Sequence, residues 1–174
     1  TLDGDEVRKN LSAGAGFSKQ DRLNHARRVA YVAKLLTAHN ITTTVCLISP
    51  YREARETAWE IIGDNMKLIA LECPPEICAQ RDPKGMWARA KAGEIKQFTG
   101  VDHPYEAVGP DELPPGSGAG MRIATDEVSA VEATIAIYGS FIEPDRQCFQ
   151  DPLCPRRVDR GILLEILRRN KKCS

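Results

Sequence analysis

Short apolar runs alternate with longer amphipathic segments along most of this chain, and no other feature of the sequence restricts its fold as strongly. Residues 41–49 form a β-branched, apolar run that is typical of a buried strand. Residues 66–71 and 121–124 are two further predicted strands. Strands that alternate with helical segments favour an α/β fold with a largely parallel sheet.

Helical patterns fill the stretches between these strands. Ser18, followed three residues later by Asp21, resembles a capping box with Asp in the position that Glu usually takes. Apolar residues then recur at helical spacing from Leu23 to Leu36. Further helices are predicted over residues 53–62, from Pro74 and Pro75 onward, and, as a packed helix, over residues 128–142.

The charge balance excludes some classes of partner. Lys and Arg together number 24, as do Asp and Glu, so no global field attracts nucleic acid or an anionic membrane. No apolar run reaches the length of a membrane span and no signal peptide opens the chain, so a cytoplasmic location is expected. The cysteines and histidines lack zinc-ligand spacing, and Cys46, within an apolar run, is expected to be a buried thiol.

The composition changes at residue 81 and again after residue 143. Residues 81–115 are polar, basic in their first half and rich in Gly and Pro in their second. A segment of this length inside a compact domain is typical of a functional lid or of disorder. We therefore expect one domain over residues 1–143 with a lid at about 81–115, and an extension of unknown role over residues 144–174, with a basic amphipathic segment at 158–169.

Acidic residues lie near the start of the chain, where a strand is expected to end. Asp3 and Asp5 flank Gly4 there. In open α/β sheets, ligands bind beyond the carboxyl ends of the strands, and two carboxylates at such a place can hold magnesium through water or orient a hydroxyl. A polar turn in which Gly4 supplies the bend is the competing interpretation.

Basic residues dominate the other two candidate segments. Arg22 falls in the first turn of a predicted helix, after Phe17, where backbone N–H groups favour anions. The lid carries a series of basic residues together with Phe98, the composition of a segment that closes on polyphosphate and offers an aromatic face to a base. A solvated helix face and a solvated charged loop are the alternatives. The basic lid residues are Arg81, Lys84, Arg89, Lys91 and Lys96.

These three segments, with the strand end Leu47-Ile48-Ser49-Pro50-Tyr51-Arg52, resemble the adenylylsulfate kinases, in the order and spacing of that family from Leu2 to about Ile142. Members transfer the γ-phosphate of MgATP to the ribose 3′-hydroxyl of adenosine 5′-phosphosulfate. The resemblance implies a P-loop-kinase-like, three-layer α/β domain, here lacking its first strand and helix. It also implies MgATP as co-substrate, without a tightly bound cofactor.

The resemblance also implies roles for individual residues. Asp5 matches the carboxylate that assists the 3′-hydroxyl and magnesium. Arg8 and Arg22 match the arginines that grip the phosphosulfate, and Phe17 and Phe98 match the pair that sandwiches the adenine. Further expected site residues are Asp3, Ile48 and Lys96 on the substrate side, Lys84 and Arg89 against the polyphosphate, and Ser49, a serine described in the family as a phosphorylated intermediate and expected here to line the pocket.

The chain departs from the family pattern in two places that matter. His25 stands where the family usually has an Asn that contacts substrate, with Asn24 adjacent. The family's Gly-x-x-x-x-Gly-Lys-Ser/Thr loop, which makes up most of a triphosphate site, has no match in the sequence, and the first residue is Thr1. A trimmed or incomplete kinase with impaired activity is therefore expected.

Two functions remain open on the sequence alone. The first is an adenylylsulfate kinase, with a homodimer or a sulfate adenylyltransferase as its protein partner. The second is a non-catalytic module that binds adenosine phosphosulfate and regulates a sulfate-activating partner.

Overall fold

The computed structural model describes residues 1–113 and 118–141. Within these ranges the strands are β1 (Leu2–Asp3), β2 (Val45–Cys46), β3 (Leu68–Glu72) and β4 (Gly120–Ala124). The helices are α1 (Gly4–Leu11), α2 (Lys19–Ala38), α3 (Arg52–Ile62), α4 (Pro75–Arg81), α5 (Met86–Lys91) and α6 (Ala130–Phe141), with a 3-10 turn at Gly63–Asn65.

The strands form two parallel pairs. Strand β1 pairs with β2, with Leu2 opposite Val45, and β3 pairs with β4 from Leu68 opposite Gly120 to Glu72 opposite Ala124. Helices lie between the paired strands in the chain, as parallel pairing requires. The predicted α/β fold with parallel strands is confirmed.

Helix α1 begins directly after β1, at the first acidic segment. The Asp3 side chain caps this helix, since it accepts hydrogen bonds from the backbone nitrogens of Asp5 at 3.0 Å and Glu6 at 3.2 Å. The strand end expected here is present. The competing interpretation as a polar turn is wrong, because Gly4 opens a helix.

Helices α2 and α3 pack against each other and form one part of the core. Ser18 caps α2, where its hydroxyl oxygen accepts from the Asp21 nitrogen at 3.2 Å, as the sequence predicts. Small residues let the two helices approach closely, and Ala26, Tyr51 and Ala54 form a buried cluster there. On α2, the Val29 side chain is 0% exposed.

A second cluster attaches the end of the lid to the other strand pair. Val108 and Leu113 are buried against Ala70 of β3, with Leu68 and Ala119 packed at the edge. The backbone at Gly120 lies so close to Leu68 that a Cβ there would be 1.9 Å from the Leu68 carbonyl oxygen. The burial of Val108 and Leu113 against β3 fixes the segment at 108–113 to the sheet.

Three expectations about burial and regular structure are wrong. The apolar run at 41–49 contributes only the two-residue strand β2, and Cys46 is exposed, because in the described ranges β2 pairs with β1 alone and its other edge is open. Helix α6 has no buried residue, so it is not the packed helix expected. The lid segment contains the short helix α5.

Several predicted features lie outside the described residues. These are the last residues of the lid at 114–115, Ile142, and the extension at 144–174 with its segment at 158–169. Among the helices that are described, none is both long and apolar enough to cross a membrane.

Val29 is fully buried on α2 and should contribute strongly to the stability of the fold. We expect Val29→Ala to lower the free energy of unfolding by about 2 kcal/mol, because it removes two buried methyl groups and leaves a cavity. Val131→Ala on α6, where the side chain is 52% exposed, is the matched control and should change it by less than about 0.5 kcal/mol. Urea unfolding measures both, and equal effects would contradict the assignment of the core.

Candidate active site

An open cavity of about 450 Å³ lies beside α1 and the loop that follows it. It combines a carboxylate, two basic groups and an aromatic ring, and so could accommodate a ligand that is anionic at one end and flat at the other. Asp5, Arg8 and Phe17 were expected at such a site; Lys9 and Ser12 were not. The lining residues are Asp5, Arg8, Lys9, Ser12, Ala13, Gly14, Ala15 and Phe17.

Two arginines approach the ring of Phe17. The guanidinium carbons of Arg8 and Arg22 lie 4.7 Å and 5.5 Å from the ring centroid. Arg8 also donates from Nη1 to the Gly16 carbonyl oxygen at 2.9 Å, which fixes the guanidinium beside the ring. The ring remains exposed, so an aromatic surface and two cations meet at one place.

Arg22 joins this cavity to the lid. Its Nε donates to the Phe17 carbonyl oxygen at 2.9 Å and its Nη2 donates to the Gln97 carbonyl oxygen at 2.7 Å. Burial lowers the pKa of Arg22, but an arginine stays protonated because its ordinary pKa is so high. The guanidinium has further N–H donors with which to meet an anion.

The backbone around Phe98 is held by a carboxylate within the lid. Asp102 accepts from the backbone nitrogens of Gln97 at 2.7 Å and Phe98 at 2.5 Å. The Gln97 and Phe98 N–H groups hold the pKa of Asp102 below its usual range. Gln97 has a φ of 58°, in the left-handed region, so the chain turns sharply just before the aromatic residue.

The Phe98 ring packs edge-on against Trp87 of α5, with ring centroids 5.5 Å apart. Trp87 and Asp102 were both missed as supporting residues. The sequence carried a usable signal for Trp87, which is an aromatic residue in the basic half of the lid segment, as Phe98 is. Nothing in the sequence distinguishes Asp102 from other loop carboxylates.

Of the remaining charged residues of the predicted site, Asp5 and Lys84 pair with each other. Asp5 accepts from Lys84 Nζ at 2.8 Å, which brings the start of the lid to the first acidic segment, and both side chains are exposed. Arg89 pairs with Glu94 at 3.1 Å. Asp3 caps α1, as its hydrogen bonds to that helix show, and Lys96 is exposed. Exposed pairs of this kind are weak, so an incoming charged ligand can replace them.

His25 is buried in α2 behind the cavity. Its Nδ1 lies 2.8 Å from the hydroxyl of Ser12, and Arg28 Nη1 donates to the same hydroxyl at 3.4 Å. Burial lowers the pKa of His25, and the positive charges of Arg8 and Arg28 lower it further. The imidazole is therefore neutral near neutral pH, and its Nε2 is buried without a hydrogen-bond partner in the part of the chain that is described.

The end of β2 supplies the last two predicted residues. Ile48 is exposed, and Ser49 has a φ of 44°, an uncommon conformation for a residue other than glycine. The Ser49 carbonyl oxygen accepts from Arg55 Nη1 at 2.9 Å.

Metal binding by the protein alone is not supported within residues 1–113 and 118–141, where no three His, Cys, Asp or Glu side chains cluster. A single carboxylate such as Asp5 suits magnesium only when substrate phosphates and water supply the other ligands.

The structure thus brings the first two candidate segments together at one cavity and connects the third through Arg22 and Lys84. Among the described residues, no hydrogen bond or ion pair joins Lys96 or Arg89 to a residue that lines the cavity. Their assignment to the site stays a prediction.

Comparison with known protein families gives one consistent match. The family model described as adenylylsulphate kinase matches residues 1–113. The adenylyl-sulfate kinase of Gloeothece citriformis is 52% identical over 105 residues, which cover 60% of this chain and 59% of that protein. The adenylyl-sulfate kinase of Halothermothrix orenii is 44% identical over 132 residues, which cover 76% of this chain and 66% of that protein. The chain thus spans about three fifths to two thirds of the length of these relatives.

Solved structures give the same match. The Mycobacterium tuberculosis APS kinase CysC in complex with AMPPNP and APS superposes with a TM-score of 0.62 at 34% identity, covering 79% of this chain and 78% of that chain. The crystal structure of APE1195 superposes with a TM-score of 0.64 at 30% identity, covering 79% and 74%. These likenesses support the P-loop-kinase-like fold.

The buried neutral His25 predicts a pH dependence of stability. Its pKa in the folded chain is below the ordinary 6.5, so the unfolded chain takes up a proton first as the pH falls. Stability is then present above about pH 6.5 and is lost as the pH falls towards the folded-state pKa. We expect the thermal midpoint to fall between about pH 7 and pH 5, and to fall less steeply in His25→Asn.

The matched control is His39→Asn, which removes an exposed histidine at the end of the same helix. Its midpoint should follow that of the parent. A His25→Asn variant with the parent's full pH dependence would show that His25 is protonated equally in both states.

Proposed function

This chain belongs to the adenylylsulfate kinase family, and we propose that its site binds adenosine 5′-phosphosulfate for transfer of the ATP γ-phosphate to the ribose 3′-hydroxyl. The product would be 3′-phosphoadenosine 5′-phosphosulfate, the activated sulfate donor of sulfate assimilation. The observation that carries this proposal is the single arginine, Arg22, that bonds to the backbone at both Phe17 and Gln97, next to Phe98.

The substrate assignment follows from the chemistry around that arginine. Adenosine 5′-phosphosulfate has a flat apolar base at one end and two anionic groups at the other. Phe17 and Phe98 offer aromatic faces to the base, while Arg8 and Arg22 lie beside Phe17 and can meet the anions with directed N–H donors. On the substrate side we also place Asp3, His25, Ile48 and Lys96.

Phosphoryl transfer requires positioning and charge neutralisation more than covalent chemistry from the protein. Asp5 is the candidate for orienting the 3′-hydroxyl and accepting its proton, because it is the acidic residue that lines the cavity. Lys84, now paired with Asp5, and Arg89 would supply positive charge to the triphosphate when the lid closes. We assign Ser49 to the pocket wall. An in-line reaction does not need the phosphorylated serine that has been described in the family.

MgATP would be the co-substrate, as the AMPPNP in the related M. tuberculosis complex suggests. Magnesium would arrive with the nucleotide, whose phosphates and water supply most of its ligands, with Asp5 contributing one carboxylate. The 174 residues contain no Gly-x-x-x-x-Gly-Lys-Ser/Thr sequence to hold the triphosphate. We therefore propose that this chain by itself binds adenosine phosphosulfate well and transfers phosphate slowly.

The alternative function is a non-catalytic module that binds adenosine phosphosulfate and regulates a sulfate-activating partner. Both functions share the substrate pocket, and they differ in whether bound nucleotide is phosphorylated.

Ligand preference tests the pocket directly. We expect this chain to bind adenosine 5′-phosphosulfate more tightly than ATP, because its cavity residues match the former while no triphosphate cradle occurs in the sequence. Isothermal titration calorimetry with each nucleotide measures the difference. ATP as the stronger ligand would contradict the substrate assignment. A coupled assay for phosphorylated product then separates the slow kinase from the module.

Two lid substitutions test whether the lid belongs to the nucleotide site. Phe98→Ala should weaken adenosine phosphosulfate binding by about 1–3 kcal/mol with little change in salt dependence, because base stacking is lost. Lys96→Ala should weaken binding and also flatten its salt dependence, because a point charge is lost.

The matched controls are Tyr31→Ala and Lys67→Ala, which remove an exposed aromatic ring and an exposed lysine away from the lid. Both should bind like the parent. If the two lid variants also bind like the parent at every salt concentration, the lid is a solvated connector.

A further inference from the structure

A buried ion pair connects α3 to residues 106–112, which we call the returning segment of the lid. Arg55 Nε and Nη2 donate to the two carboxylate oxygens of Glu112 at 2.6 Å and 2.9 Å, so the pair is bidentate. The two side chains are only 4% and 7% exposed. No other ion pair of the described residues is buried to this degree.

The third contact of Arg55 reaches the predicted pocket. Its Nη1 donates to the Ser49 carbonyl oxygen at 2.9 Å. Ser49 is held at a φ of 44°, a left-handed conformation that a residue with a Cβ adopts only when its surroundings enforce it. One guanidinium therefore holds both a strained strand end and a carboxylate of the lid's returning segment.

Glu112 is also held by the backbone of its own segment, through the same Oε1 that accepts from Arg55 Nη2. Its Oε1 accepts from the Gly109 nitrogen at 2.8 Å. Arg122 of β4 donates from Nη2 to the carbonyl oxygens of Val108 at 2.8 Å and Gly109 at 2.9 Å. Because Val108 is also buried against β3, the carboxylate is a fixed point relative to the β3–β4 pair.

Three further contacts join the same two segments, and one of them is the exposed ion pair of Arg52 Nη2 with Asp111 at 2.6 Å. Glu106 accepts from the Arg52 nitrogen at 2.6 Å, and the Glu106 nitrogen donates to the Pro50 carbonyl oxygen at 2.7 Å. Residues 49–55 and 106–112 are thus joined at several points. The buried pair is the one contact among these that reaches Ser49 directly.

A buried ion pair of this kind is poor evidence of a contribution to stability, because removing two charges from water costs about as much as their attraction returns. We propose instead that Arg55 and Glu112 are positioning residues. They fix the backbone of residues 48–50 relative to the returning segment of the lid. Binding of adenosine phosphosulfate requires these two segments to keep that spacing. This inference rests on the proposed function, in which Ile48 and Ser49 belong to the substrate pocket.

The double variant Arg55→Met with Glu112→Met separates positioning from stability. Methionines of similar length can fill the buried space without an unpaired charge, so the chain should remain folded. The donor to the Ser49 carbonyl oxygen is lost. We expect the dissociation constant for adenosine phosphosulfate, measured by calorimetry, to rise by about tenfold or more, while the thermal midpoint stays near that of the parent.

Arg55→Lys provides a second variant that keeps a cation beside Glu112. A lysine is a point charge and cannot bond to both carboxylate oxygens and the Ser49 carbonyl oxygen in the same fixed geometry. It should weaken binding to a similar degree. The control is Glu53→Gln on α3, the helix that carries Arg55. It breaks the exposed ion pair of Glu53 with Lys19 of α2, and the variant should bind like the parent.

Parent-like affinity in either the folded double variant or Arg55→Lys would overturn the proposal. If the parent itself fails to bind adenosine phosphosulfate, the proposed function fails instead. Amide hydrogen exchange then decides the positioning claim without a ligand. Faster exchange at residues 49–55 and 106–112 in the variants supports the claim, and unchanged exchange there overturns it.

Discussion

The guanidinium of Arg22 is shared between the carbonyl oxygens of Phe17 and Gln97, which lie in separate parts of the chain. This interaction joins two candidate segments that are far apart in sequence, the one around Phe17 and the lid, into one site. On one side Arg22 bonds to the backbone of Phe17, whose ring lies close to the guanidinium groups of Arg8 and Arg22. On the other it fixes the sharp turn that precedes Phe98, and Asp102 and Trp87 hold that turn and its ring from within the lid.

The lid is anchored at both ends by different physical means. Near its start, Lys84 and Asp5 form an exposed pair that contributes little energy and can be replaced by a ligand. At its return, the apolar burial of Val108 and Leu113 holds the chain to the sheet, and the buried pair of Arg55 and Glu112 fixes its position relative to α3. A weak contact at one end and a strong one at the other suit a segment that moves about a fixed base.

Local patterns predicted much of the fold because they depend on nearby residues. Ser18 as a helix cap and the helix after Pro50 required no knowledge of distant contacts. Burial was less predictable: Cys46 and helix α6 have apolar sequences but lie exposed, since burial depends on what packs against them. The residue pattern singled out Arg22 and Phe98, and the family resemblance added the expected roles of Phe17 and Arg8. Arg55 and Glu112 are so distant in sequence that only the folded chain shows the pair.

The most direct test is a crystal structure of this chain with adenosine 5′-phosphosulfate bound. The account predicts the adenine between the rings of Phe17 and Phe98, with the phosphosulfate within hydrogen-bonding distance of Arg8 or Arg22. The 3′-hydroxyl should then face Asp5. An adenine bound away from both rings, or a phosphosulfate that contacts neither arginine, would contradict the account.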